Sequence, residues 1–129
     1  MSHVKHEVVN HWLVLRFTSD RLTDPITVAD AGEQLTKLVN TLPERGRVVV
    51  NFTGVEFVSS QVIGMMLGLR DQIARKHGTL VLCKPGKHVM DVMKITRLDR
   101  HFTFSDSLSD IVGKRKASAR AANDLEWMD

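Results

Sequence analysis

The sequence is poor in cysteine and in aromatic residues. Its 129 residues include one cysteine, Cys83, two tryptophans, five phenylalanines and no tyrosine. A single cysteine excludes an internal disulfide and is typical of a protein in a reducing cytoplasm. No apolar run approaches the ~18 residues of a bilayer-spanning helix, and the opening MSHVKHEVVN lacks the apolar core of a signal peptide. These absences predict a cytoplasmic protein without membrane insertion.

The net charge of +3 and the pI near 9.3 raise the question of nucleic-acid binding. The segment after Gly113 contains four basic and three acidic residues, so both signs are mixed there as elsewhere. Basic residues are not interleaved with aromatic ones, as they are in many nucleic-acid-binding surfaces. The sequence therefore argues against a direct nucleic-acid partner.

Apolar patterns of two kinds alternate along the chain. Residues 4–18 predict two paired edge strands, and the consecutive apolar residues in 47–52 and 79–83 predict strands buried on both faces. Helical spacing predicts helices over 26–42, from Ser59 to Gly78, and over 88–98, followed by a short strand at 102–104 and a helix from about Ser107. We expect an α/β fold with a mixed, mostly parallel sheet of about five strands and about four helices.

The length suits one domain, which we place at residues 1–113. Residues 114–129, KRKASARAANDLEWMD, are rich in helix formers but apolar only near their end. They predict a charged C-terminal helix that docks through its end, or a frayed tail. We expect a monomer, with a dimer through this extension as the alternative.

Signatures of catalysis and of cofactor binding are missing from the sequence. The six histidines show no metal-ligand spacing, and neither serine before the second helix lies in a Gly-x-Ser-x-Gly motif. Glycines of a phosphate-binding loop are also absent, and Gly64 and Gly68 are interpreted as packing positions against the sheet. We therefore expect no metal, no cofactor and no enzymatic activity.

Ser59 and Ser60 lie between an apolar strand and a helix in the stretch EFVSSQVIGMMLG. The pattern puts Ser59 at the N-cap, where a serine has a sufficient structural role. Ser60 falls on the first helical position, beside unpaired amides and the positive end of the helix dipole, where a phosphate is well tolerated. The spacing leaves two interpretations open for Ser60, an ordinary helix start or a phosphorylation site.

The segment RVVVNFTGVEFVSSQVIGMMLGLRDQIARKHGTLVLC resembles the STAS domain family of anti-sigma factor antagonists and sulfate-transporter domains. The residues that match the family pattern before and within the helix are Thr53, Gly54, Val55, Phe57, Val58, Ile63, Gly64, Leu67 and Gly68. Ser60 falls on the family's phosphoacceptor serine. Three positions depart from the pattern, since Ser59 replaces an aspartate, Gln61 a serine or threonine, and Val62 a glycine, which makes Ser59 a second candidate for phosphorylation.

The resemblance implies an anti-sigma factor antagonist that switches partners when it is phosphorylated. Its partner would be an anti-sigma factor with an ATP-binding kinase fold, and sigma-factor-dependent transcription would be the output. The implied partner-binding residues are Thr53, Gly54, Glu56, Phe57, Ser59, Ser60, Gln61 and Val62. The alternative within the family is a scaffold or subunit, in a stress-signalling or lipid-transport complex, that works without phosphorylation.

Overall fold

The computed structural model describes residues 2–113, and the predicted extension at 114–129 lies outside the described residues. The strands are β1 (Val4–Val9), β2 (Trp12–Phe17), β3 (Arg21–Leu22), β4 (Arg47–Asn51), β5 (Phe57–Val58), β6 (Thr79–Cys83) and β7 (Thr103–Ser105). The helices are α1 (Pro25–Asn40), α2 (Ser60–Arg75), α3 (Lys87–Ile95) and α4 (Leu108–Val112), with one 3-10 turn at Leu98–Arg100. No helix in this part of the chain is long and apolar enough to cross a bilayer.

Five strands form the main sheet in the order β1-β2-β4-β6-β7. β1 and β2 are antiparallel, whereas the three other pairings are parallel. The predicted edge hairpin and the mixed, mostly parallel sheet are thus confirmed. The hairpin turns at Asn10 and His11, whose φ angles of 49° and 68° are those of the two-residue turn that suits the twist of paired strands.

Helices cover the two faces of the main sheet unequally. α1, α2 and α3 pack on one face and form the larger core with alternate strand residues, such as Val48 and Val50 of β4. Val49, which lies between them, points to the other face and packs with α4 in a smaller core. This explains why the central strands are apolar at consecutive positions.

α1 begins as the sequence predicts, with Asp24 as the N-cap and Pro25 in the first turn. The Asp24 carboxylate accepts hydrogen bonds from the Thr27 amide at 2.9 Å and the Thr27 hydroxyl at 2.8 Å. Both bonds lower the pKa of Asp24 below its usual value, and the bond from the Thr27 amide has the larger effect. The helix ends at Asn40, two residues before the predicted end, and Leu42 still contributes to the core from the following turn.

The interpretation of Gly64 and Gly68 as packing positions is wrong. Gly64 and Gly68 are exposed, and a Cβ atom at either position would meet no atom of the described residues within 4 Å, so they do not pack against the sheet. At the end of α2 the left-handed residue is His77, with φ of 55°, and not Gly78. Gly78 is required for a different reason, because a Cβ there would lie 2.6 Å from the Gly46 carbonyl oxygen.

A second, two-stranded sheet was not predicted. β3 and β5 pair in parallel, with Arg21 opposite Phe57 and Leu22 opposite Val58. Each strand has two residues, too few for a periodic pattern in the sequence. This small sheet holds the segment that leads into α2 against the segment that leads into α1.

Candidate functional site

Ser59 is the N-cap residue of α2, as predicted, but its side chain does not cap the helix. Its backbone amide donates to the Leu22 carbonyl at 2.9 Å, which ties the start of α2 to β3. The Ser59 hydroxyl oxygen is buried and has no hydrogen-bond partner in the described structure. The capping bond that would explain this serine is therefore not made.

Ser60 is the first residue of α2, and it is exposed. The first turn of a helix presents amides without intrahelical partners and the positive end of the dipole. No acidic residue lies in this first turn. The two serines are thus unequal in the structure, since the hydroxyl of Ser59 is enclosed and the side chain of Ser60 faces solvent.

The turn before β5 is held by Asn51, at the end of β4. Its side-chain oxygen accepts from the Thr53 amide at 3.0 Å and from the Thr53 hydroxyl at 2.6 Å. Gly54 follows with φ of 84°, a conformation that favours glycine. Val55 after it is buried, and the two residues that follow, Glu56 and Phe57, lie on the surface.

Phe57 is a large apolar residue that remains 39% exposed. The guanidinium carbon of Arg21 lies 4.8 Å from the centre of its ring, a cation–π distance. The ring of His88 lies on another side, with centroids 5.2 Å apart. Arg21 and His88 support Phe57 in an exposed position, and no motif in the sequence points to either residue.

An open cleft of about 610 Å³ lies between the loop after β4 and the start of α3. Its charged lining combines both signs and consists of Lys84, Lys87, Glu56 and Asp91. Thr53, Gly54 and Phe57, three of the predicted partner-binding residues, also line it. The structure therefore gathers these predicted residues along one edge of the cleft.

Gln61 connects α2 to α1. Its side-chain amide donates to the Pro25 carbonyl at 3.2 Å. Ile26, the next residue of α1, is 73% exposed, which is unusual for a large apolar side chain. We call Ile26, Phe57, Ser60, Gln61 and Gly64, the exposed residues around the start of α2, the serine surface.

Val62 differs from the other predicted partner-binding residues. It is fully buried, and it packs in the larger core beneath α2. Its backbone amide donates to the Ser59 carbonyl at 3.1 Å. Val62 therefore positions the start of the helix from below and offers no surface to a partner.

A metal site is not part of this arrangement. Within residues 2–113, no three His, Cys, Asp or Glu side chains lie together where they could hold a metal ion. Cys83 is fully buried in β6. The chemistry that this surface can offer is a solvent-exposed hydroxyl beside apolar and charged groups.

The model of the STAS domain family matches residues 6–111. The chain belongs to the STAS domain family. The match includes every element from β1 to α4 except the first two residues of β1 and Val112, the last residue of α4. No curated protein matches the sequence closely enough to serve as a relative.

Solved structures with the same STAS fold include three that are instructive. An anti-sigma-factor antagonist (STAS) domain protein from Planctomyces limnophilus superposes with a TM-score of 0.79 at 17% identity, over 87% of this chain and 96% of the other. The anti-sigma factor antagonist SpoIIAA in its unphosphorylated form superposes with a TM-score of 0.66 at 18% identity, over 88% of this chain and 99% of the other. The Bacillus cell fate determinant SpoIIAA in its phosphorylated form superposes with a TM-score of 0.62 at 18% identity, over 84% of this chain and 96% of the other. At these identities the likeness shows the fold alone.

Proposed function

We propose that this STAS domain is an anti-sigma factor antagonist whose partner binding is switched by phosphorylation of Ser60. The observation that carries the proposal is the exposure of Ser60 at the first position of α2, beside a serine whose hydroxyl is enclosed. A kinase can reach the Ser60 hydroxyl without unfolding the helix. Ser59 is the second candidate, and its hydroxyl becomes accessible only when the start of α2 opens.

The partner in this proposal is an anti-sigma factor with a kinase fold that binds ATP. The Ser60 oxygen attacks the γ-phosphorus of the partner's ATP, the bond to the β-phosphate oxygen breaks, and ADP leaves. The serine proton passes to a base of the partner. The nucleotide belongs to the partner, so the STAS domain itself needs no cofactor and catalyses no reaction.

Phosphorylation acts on the partner complex through charge. A phosphate adds about −1.5 to −2 charges at pH 7. The helix dipole and the free amides of α2 stabilise this charge, so the fold is retained. An apolar or acidic partner surface that touched the serine surface is repelled, and the complex dissociates.

The shape of α2 supports close contact with a partner. Ser60, Gly64 and Gly68 follow one another at intervals of four, so they lie on the same side of the helix. Both glycines are exposed, and no atom of residues 2–113 lies within 4 Å of a Cβ built on either. Ile26 and Phe57 add exposed apolar groups, of the kind that anchor interfaces.

SpoIIAA supports the proposal by analogy, since structures of that antagonist exist in phosphorylated and unphosphorylated forms. We place the present protein in the cytoplasm, where a sigma factor and its regulators act. Control of sigma-factor-dependent transcription is the proposed output.

A scaffold role is the second candidate. The observation that favours it is Ser59, which stands where the family pattern has an aspartate and whose hydroxyl has no partner in the described structure. Without that carboxylate, a kinase that recognises the usual motif loses a charged contact beside the acceptor. In this role the serine surface binds its partner constitutively, in a stress-signalling or lipid-transport complex.

Phosphorylation of the purified protein by its partner kinase and ATP separates the two roles. Intact-mass measurement should show the gain of one phosphate, which Ser60→Ala abolishes and the matched control Ser59→Ala retains. Ser60→Asp should weaken the complex by at least about tenfold while the melting temperature stays unchanged. Equal affinity of wild type and Ser60→Asp for the partner, with no phosphate gained, would establish the scaffold role instead.

A further inference from the structure

The face of the main sheet that α4 covers, here called the α4 face, has basic residues at one end. Val14 of β2 packs with α4 in the smaller core, and Arg16, two positions further along β2, lies on the same face. Lys5 of β1 is directly opposite Arg16 in the antiparallel ladder, so it shares this face. α4 is the only helix of residues 2–113 in the smaller core, and neither basic residue belongs to that core. We call Lys5 and Arg16 the basic end of the α4 face.

Lys5 is the accessible charge of the basic end. Arg16 is half-buried and already has an interaction partner, whereas Lys5 is exposed and makes no ion pair with residues 2–113. A cavity of about 200 Å³ opens beside these two residues, and Phe17 and Thr18 complete its lining. The long stems of lysine and arginine also carry apolar surface that a covering group can bury. A segment that combines apolar side chains with an acidic one therefore suits the basic end.

The chain leaves α4 at the opposite end of this face, next to the β1–β2 hairpin turn. The side-chain amide of Asn10 in that turn donates to the Val112 carbonyl at 2.7 Å. Gly113 follows with φ of 78°, a conformation that favours glycine and takes the chain out of the helix. Residues 114–129 therefore start from the hairpin end of the α4 face.

The length of residues 114–129 matches the distance to the basic end. Lys5 lies five residues before Asn10, which corresponds to ~17 Å along a strand. Asp124 lies eleven residues after Gly113, which also corresponds to ~17 Å along a helix. A helix that runs back along β1 and β2 from the hairpin end therefore brings Asp124 level with Lys5.

The sequence of residues 114–129 suits contact along one side of such a helix. The small or apolar residues that share this side, at intervals of three and four, are Ala117, Ala121, Leu125 and Met128. Asp124 borders the same side, whereas Glu126 lies on the opposite one. The alanines allow close approach to the sheet, and the two larger side chains arrive at the basic end together with an acidic group.

We propose that residues 114–129 of the same chain dock as a helix on the α4 face, with Asp124 beside Lys5. Leu125 then lies against the guanidinium plane of Arg16, whose edge stays available to the partner that it already has. α1, α2 and α3 pack on the other face of the sheet, so the docked segment leaves the serine surface open.

Disulfide formation in the full chain tests the position of the segment. Lys5→Cys combined with Asp124→Cys should form a disulfide within one chain on mild oxidation, because docking brings the two Cα atoms within the ~7 Å that the bond requires. Val8→Cys combined with Asp124→Cys is the matched control and should not. Val8 is exposed on the same strand, but it faces Leu13 of the larger core and so lies on the other face. The native Cys83 is fully buried.

Peptide mapping by mass spectrometry identifies the disulfide. Equal bond formation in both pairs overturns the proposal, because the segment is then not held on one face. Absence of the bond from both pairs overturns it too. A disulfide between two chains shows that a second copy occupies the face instead.

The rate of tryptic cleavage after Arg120 tests the charge contact. Lys5→Glu should raise this rate about two- to fivefold, because like charges then oppose docking and the exposed open form is cleaved. Lys5→Glu combined with Asp124→Lys should return the rate to that of the wild type. Glu126→Lys, which makes the same charge change on the opposite side of the helix, should leave it unchanged.

The free peptide 114–129 supplies the rate of cleavage without docking. A wild-type chain that is cleaved after Arg120 as fast as this peptide overturns the proposal. A slower rate that does not respond to Lys5→Glu overturns it as well, because the segment then docks elsewhere.

Discussion

The side-chain amide of Gln61 donates a 3.2 Å hydrogen bond to the carbonyl oxygen of Pro25. The bond joins the first turn of α2 to the first turn of α1. Two helix starts that are far apart in the chain are thereby held side by side. An exposed serine and an exposed isoleucine consequently belong to one surface, and a partner can contact both.

Ser59→Ala should change the free energy of unfolding by less than about 0.5 kcal/mol, although loss of an N-cap serine usually costs ~1 kcal/mol. The reason is that the Ser59 hydroxyl is buried and makes no capping bond. Urea denaturation measures the change. Asp24→Ala is the control at a cap that does bond its helix, and it should destabilise the protein more than Ser59→Ala does.

Gly64→Ala should stabilise the domain by about 0.5–1 kcal/mol, because the position is helical and its Cβ meets nothing within 4 Å. Gly78→Ala is the matched glycine substitution for which we expect a loss of stability. Its Cβ would lie 2.6 Å from the Gly46 carbonyl oxygen, so the backbone must shift, at a cost of about 1–3 kcal/mol. Thermal and urea denaturation of the two variants should give changes of opposite sign. A loss of stability in Gly64→Ala would contradict the open surface over this part of α2.

Phe57→Ala should reduce the affinity for the partner protein by about tenfold or more, because an exposed aromatic ring is a typical interface anchor. The melting temperature should change little, since the ring is 39% exposed. Titration calorimetry with the partner measures the affinity. Ile95→Ala is the control, because Ile95 is 82% exposed at the opposite end of α3 from His88 and should not alter binding.

Acid should remove the stabilisation that Asp24 provides to α1. The folded pKa of Asp24 is lowered by its bonds from Thr27, so the carboxylate stabilises the fold above its ordinary pKa of 3.8. This contribution is lost as the pH falls through the lower, folded pKa. Melting temperatures of wild type and Asp24→Asn, measured from neutral to strongly acidic pH, should differ at neutral pH and converge at the acidic end. A constant difference would show that the carboxylate charge plays no part.

Much of the fold is predictable because it depends on periodic patterns. The doubly apolar segments gave β4 and β6, and the stripes of helical spacing gave α1 and α2 to within a few residues. The β3–β5 sheet was missed, because pairs of two-residue strands depend on contacts across the chain. The glycines of α2 were misinterpreted, since a pattern of small residues does not show whether anything packs against them.

Some features of the candidate site are predictable from the sequence, and others are not. The position of Ser60 at the start of α2 follows from the change of pattern at that point, and the matched family segment adds the turn at Gly54. Arg21 and His88 come to Phe57 from separate loops, so no local motif reports them. The pattern already places Ser59 at the N-cap and Ser60 in the first turn, but the enclosure of the Ser59 hydroxyl depends on tertiary packing and is not visible in the sequence.

The strand order β1-β2-β4-β6-β7 increases steadily along the chain. Each strand of the main sheet after β1 therefore pairs with a strand that was synthesised before it, and none must insert between two that are already joined. A chain that emerges from the ribosome can add β4, β6 and β7 in turn to a growing edge, each as its helix is completed. This strand order favours folding during synthesis, because each new strand pairs with the preceding strand of the main sheet.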